Sequence, residues 1–153
     1  MTEILKNRLP SIMEGCKESI IKHGRIGYGV WVEIEGEKNL SVVGFDKTFR
    51  MNSKQDFYDA LSQIGNNFRM QNKKILAAAL MIESVCMDAD PVTGKKQEAV
   101  SLLYVNLVDR KKETWFQTYT KNRGKAEFGK LDVTEGLEMP IMDHFLNGYK
   151  GGK

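Results

Sequence analysis

Ile75 to Val85 (ILAAALMIESV) and Ala99 to Val108 (AVSLLYVNLV) are the two stretches on which the fold turns. In both, apolar residues occupy odd and even positions alike, the pattern of strands covered on both faces. They are expected to form the centre of a sheet with protein above and below it. Downstream, Glu113 to Thr120 (ETWFQTYT) is rich in aromatic and β-branched residues and reads as the next strand, after a turn at Asp109 to Lys112. Lys121 to Lys130, carrying Gly124 and Gly129, reads as a loop or a ragged edge segment. Upstream, Tyr28 to Glu35 and Leu40 to Phe45 are joined by Gly36, Glu37, Lys38 and Asn39, which predicts an antiparallel hairpin. Val30, Val32 and Ile34 share one face of its first strand, with Trp31, Glu33 and Glu35 on the other.

Helices flank these strands. From Ile4 to Ile21 the residues Ile4, Leu5, Leu9, Ile12, Met13, Cys16, Ile20 and Ile21 recur at spacings of three and four and lie on one stripe. Pro10 interrupts the stripe: either the helix restarts at the Ser11 and Glu14 capping box, or the proline is absorbed as a kink. Gly24 is the stop. Ser53 to Met70 places Phe57, Leu61, Ile64 and Phe68 in helical register behind a Ser53 and Asp56 capping box, with Gly65 costing about 1 kcal/mol against alanine. Pro140 to Asn147 forms a short terminal helix that Gly148 ends. The expected architecture is one α+β domain over residues 1–153. It has a single mixed or antiparallel sheet of about five strands, two longer helices and a short C-terminal helix.

The totals, 153 residues with 41% hydrophobic, 28% charged and 3 prolines, are those of an ordinary globular chain. Cys16 and Cys86 lack metal or redox spacing and fall in apolar patterns, so they are expected to be buried, reduced thiols in a reducing compartment. The charged start of the chain does not read as a secretory signal. The longest apolar run, Ile75 to Ile82, is far short of the roughly 20 residues that span a bilayer. A cytoplasmic protein without membrane contact follows. No cofactor is called for: His23 and His144 share no zinc spacing, no nucleophile elbow occurs, and Gly24, Gly27 and Gly29 follow a helix where phosphate loops open one.

Catalytic chemistry finds one foothold, in Glu83 to Glu98 (ESVCMDADPVTGKKQE). If the hairpin is symmetric about Asp90 and Pro91, Glu83 and Glu98 face each other on neighbouring strands. That pairing is destabilising unless a metal ion, a shared proton or a bridge from Lys95 or Lys96 compensates. Glu83 and Glu98 are therefore the candidate catalytic residues, and Asp88 and Asp90 the candidate metal ligands, of a carboxylate-centred hydrolase. Against this, Asp88 and Asp90 do not continue into a calcium loop, and a plain turn explains them.

The run Glu83, Ser84, Val85, then Asp90 and Pro91, then Lys95, Lys96, Glu98 and Ala99 resembles a group of prokaryotic and phage proteins of uncharacterised activity. In those, a strand ends in Glu-Ala-Trp and the next, after a loop with a proline, opens with basic residues and Glu-Ala. The likeness covers Leu76 to Val105, with Val85 in place of the tryptophan. It implies the same order of elements and a role for Glu83 and Glu98, and it implies no reaction.

Charge points elsewhere. Between Asp109 and Lys130 lie seven basic residues (Arg110, Lys111, Lys112, Lys121, Arg123, Lys125, Lys130) against three acidic ones (Asp109, Glu113, Glu127), interleaved with Trp115, Phe116 and Tyr119. Such a segment could stack bases while neutralising phosphates, which makes nucleic acid a candidate partner. A lysine-edged sheet margin that discourages edge pairing explains it as well. Because the core is well specified while catalytic motifs are missing, the leading expectation is a non-catalytic binding or assembly domain that forms homo-oligomers or takes a protein partner. Its binding residues are expected at Trp115, Tyr119, Lys121, Arg123 and Lys125, with Trp31 exposed beside them.

Overall fold

A computed structural model describes residues 3–44, 54–89, 96–122 and 124–151, with side chains described except at 54, 84–89, 96, 97, 121 and 122. In chain order the elements are α1 (Ile4–His23), β1 (Gly29–Ile34), β2 (Ser41–Gly44), α2 (Lys54–Met70), β3 (Ile75–Ala89), β4 (Lys96–Asn106), β5 (Lys112–Asn122), β6 (Lys125–Glu135) and α3 (Pro140–Tyr149). The strands make one open antiparallel sheet in the order β2-β1-β3-β4-β5-β6. The α+β class with one sheet is as the sequence predicts. The doubly apolar stretches become β3 and β4 at its centre.

Each face of the sheet has its own core. Val30, Val32 and Ile34 of β1, Ala78, Leu80 and Ile82 of β3, and Leu103 and Val105 of β4 pack under α2 and α3, against Phe57, Leu61, Phe68, Met142 and Phe145. The opposite face, with Ala77, Ala79, Val100, Leu102, Tyr104 and Tyr119, packs under α1 through Leu5, Leu9, Ile12, Met13, Cys16 and Ile20. Period-two alternation along the strands divides the side chains between these layers, and the helical stripes seal them.

The helix ends follow local chemistry. α1 runs unbroken through Pro10, so the restart at Ser11 does not occur. Gly24 ends it in the left-handed conformation (φ 77°), its N–H bonded to the Ile20 carbonyl. Gly148, expected to stop α3, instead lies inside it and buried. A Cβ there would collide with the Ser62 backbone, and one at Gly65 of α2 would collide with the Phe145 carbonyl. These two glycines let the helices cross at backbone contact, which is the packing reason for tolerating Gly65 inside a helix.

The strand beyond the expected five is β6, an 11-residue edge strand that begins within the segment read from sequence as a loop or a ragged edge. Its pairing with β5 shifts between Gln117↔Leu131 and Tyr119↔Phe128, so that Gly129 and Lys130 together stand opposite Thr118. This bulge breaks the alternation in two: Ala126 and Phe128 before it, and Leu131 after it, all reach the core under α1. Read without the bulge, the two halves appear out of phase.

Candidate functional site

The acid pair lies on the sheet face under α1, near the C-terminal end of that helix. Glu83 stands opposite Val100 and Glu98 opposite Val85. The two glutamates are therefore diagonal neighbours on one face, two residues out of the direct opposition that a symmetric hairpin would impose. At such an offset the Cα atoms of antiparallel strands are about 7–8 Å apart, and the repulsion of facing like charges is relieved. The offset begins at the pairing of Ala89 with Lys96, four residues beyond the partner that a turn centred on Asp90 and Pro91 would give it, and the register irregularity between Val85 and Ala89 takes back half of that shift.

Both carboxylates are engaged by the fold. Glu83 Oε1 accepts the Ile26 N–H at 2.6 Å, and the Tyr28 hydroxyl donates to the Glu83 carbonyl at 3.0 Å. Glu98 faces Tyr119 across β4 and β5. The Tyr119 hydroxyl is buried and falls short of a well-aligned hydrogen bond. Its burial first, then the adjacent Glu98 carboxylate, push the phenol well above its ordinary pKa. Tyr28 is raised chiefly by burial. Cys16 is raised to about 11, by burial and then by the Glu83 charge, and its thiol lies 3.6 Å from the Met81 sulfur. A nucleophilic cysteine needs the opposite shift, so this group of two acids, two phenols and a thiol keeps its phenols and its thiol protonated.

A second set of acids on the same face works on the other end of α1. Glu33, only 3% exposed, accepts the Leu5 N–H at 2.9 Å. It serves as the N-terminal cap that Glu3 does not provide. Glu113 binds Lys6 at 3.0 Å and accepts the Trp115 indole N–H at 3.0 Å. Sheet carboxylates thus fasten the chain at both ends of α1, a use of Glu33 and Glu113 that strand alternation alone does not signal.

Among the described residues no group of three or more His, Cys, Asp or Glu side chains could hold a metal ion. The Asp88 side chain and all of Asp90 lie outside the described residues, as do the Cys86 side chain, Lys95 and the turn through Gly94. A hollow of about 130 Å³ lined by Val43, Ile64, Asn67, Phe68 and Gln71 sits on the α2 side of the sheet, across from the acids. A more open one of about 400 Å³ is rimmed by Arg69, Lys73, Lys74 and Tyr149. There Lys73 and Lys74 pair with Glu37 and Glu35, and the Tyr149 hydroxyl bridges Ile75 and Lys73.

The aromatic binding surface is rearranged. Tyr119 is 1% exposed inside the core under α1. Trp115 and Trp31 are half-buried against the same core, with the Trp31 indole N–H directed at the Met81 sulfur at 3.1 Å. All three lie on the sheet face that packs under α1. The basic segment is also divided. Arg110, Lys111 and Lys112 gather at one end of the 11-residue β5, while Lys121 and Lys125 lie at the other, roughly 30 Å away. Lys112 is further tied to Glu138 at 3.7 Å. Arg123 and the Lys121 side chain lie outside the described residues.

The strands at the two edges of the sheet are β2 and β6. Among the described residues, none of β5 or β6 belongs to the core under α2 and α3. β6 is the last strand of the sheet and, among the described residues, pairs with β5 alone. Since Ala126, Phe128 and Leu131 face α1, Lys125, Glu127, Lys130 and Asp132 point to the other side, and all four are exposed. Phe128 is held in place by Lys17 of α1, whose ammonium lies 5.2 Å above the ring. Gly129 at the bulge gives its carbonyl to the Gln117 amide at 2.8 Å, and a Cβ there would strike the Thr118 hydroxyl.

Among the described residues no helix is long and apolar enough to cross a membrane. Comparison with protein-family models, with curated proteins and with solved structures finds no match to this chain.

Proposed function

We propose that this chain is a non-catalytic binding and assembly domain that associates with itself through the β5–β6 end of its sheet. The observation that carries the reading is an 11-residue edge strand, paired on one side only, in the part of the sheet that α2 and α3 leave uncovered. A strand of that length presents a row of backbone donors and acceptors along which another strand can add.

The rival readings draw less support from the geometry. A carboxylate hydrolase would need Glu83 and Glu98 turned toward a substrate cleft, whereas Glu83 is bonded to the backbone of Ile26 and Glu98 sits against a buried phenol. A nucleic-acid surface would need its bases stacked on Trp115 or Tyr119, which face α1. Sedimentation velocity across the micromolar range tests the proposal. The expected result is a weight-average mass that climbs with concentration from that of one 17.4 kDa chain toward two. A constant single-chain mass would refute it.

A further inference from the structure

β6 is self-complementary in charge when laid against an antiparallel copy of itself. Along the face turned away from α1, its exposed charged residues run Lys125, Glu127, Lys130, Asp132, alternating in sign. Read backwards the signs invert, so an antiparallel copy sets every charge against its opposite. Because the bulge at Gly129 and Lys130 shifts the alternation by one, these four side chains share a face even though two are odd-numbered and two even-numbered. Opposite residues in an antiparallel pair share a face, which the shift allows for these charged pairs and for Ala126 with Leu131, while at the axis Phe128 meets Gly129, which has no side chain to place.

We propose, resting on the assembly reading above, that the partner at this edge is a second copy of the chain. Its β6 pairs antiparallel about a two-fold axis between Phe128 and Gly129, with Lys125 opposite Asp132 and Glu127 opposite Lys130 of the other copy. The pairing would fuse two sheets into one continuous sheet of twelve strands, twice the six of one chain. On the α1 face, Ala126 meets Leu131 across the same axis, adding an apolar contact beneath the ion pairs.

The arrangement is tested by charge reversal at exposed positions, which leaves each core intact. Glu127→Lys turns two attractive pairs repulsive, and the dimer dissociation constant measured by sedimentation equilibrium is expected to rise about thirtyfold. Lys130→Glu does the same. The double variant Glu127→Lys/Lys130→Glu exchanges the signs and is expected to return the constant to within about threefold of the unaltered protein. A dimer indifferent to either single reversal, or no recovery in the double variant, overturns this register while leaving self-association standing. A monomer at every concentration overturns both, and the bulge and lysines then guard the edge against pairing.

Discussion

The two faces of the sheet are sealed by different chemistry. Under α2 and α3 the contact is apolar and close, with Phe68 and Phe145 edge to face at 6.5 Å and two glycines bringing the helix backbones together. Under α1 the core contains Glu33, Glu113, Tyr104, Tyr119 and Cys16 among its aliphatic residues, and the helix is fastened by carboxylates at its two ends. The first face is held by shape, which tolerates no added volume. The second is held by directed polar contacts, and a buried acid there stabilises only while its partner N–H is present. Of the two glutamates that look like catalytic candidates in the sequence, Glu83 holds the backbone just beyond the end of α1, and Glu98 lies against the buried Tyr119.

The largest effect is expected where shape decides. Gly148→Ala and Gly65→Ala each force backbone apart at the α2 and α3 crossing and should cost about 3 kcal/mol in denaturant unfolding. If either is neutral, the close crossing is not what seals that face. On the α1 face, Glu33→Ala removes a buried cap and should cost about 2 kcal/mol, whereas Glu33→Gln keeps an acceptor for the Leu5 N–H and should cost less than half as much. Equal losses in the two variants would mean that charge, and not the hydrogen bond, is what matters there.

The polar face should also show in the response to alkali. Cys16 is raised from 9.0 to about 11, and Tyr28, Tyr104 and Tyr119 are raised above 10.0, each chiefly by burial. Above the ordinary values the unfolded chain releases protons that the folded chain keeps. The stability contributed by these groups is therefore complete below about pH 9 and is lost as pH rises toward and through the raised values. Unfolding free energies measured from pH 7 to 11 should be flat at first and then fall, with Tyr119→Phe softening the fall. A curve that rises with pH would contradict the burial of these groups. Smallest of all should be Glu83→Gln/Glu98→Gln. The diagonal offset has already relieved the repulsion, so thermal stability is expected to move by less than about 1 kcal/mol, with no response to added divalent ions.

Much of the architecture is legible in residue order because the signals are local. β3 and β4 announce themselves by being apolar on both faces, and α1 and α2 by their three-and-four spacing. β6 is hidden because Gly129 and Lys130 share one opposite residue, so that Ala126 and Phe128 fall out of step with Leu131. Placing Glu83 and Glu98 on one face of neighbouring strands needs only parity, but their register depends on an irregularity between Val85 and Ala89 that no local pattern marks. The aromatic residues of β5 read as a surface because a strand's sequence says which side chains share a face, not which face a distant helix will cover. That α1, more than ninety residues earlier in the chain, covers Trp115 and Tyr119 is a tertiary fact.

The central claim is that β6 is an assembly edge, and hydrogen exchange at its backbone reads that edge directly. Amides of Lys125 to Asp132 that point away from β5 should exchange quickly in dilute solution and become protected as protein concentration rises through the dimerisation range, while β3 and β4 exchange at an unchanged rate. Exchange along β6 that is equally fast at every concentration would contradict the account.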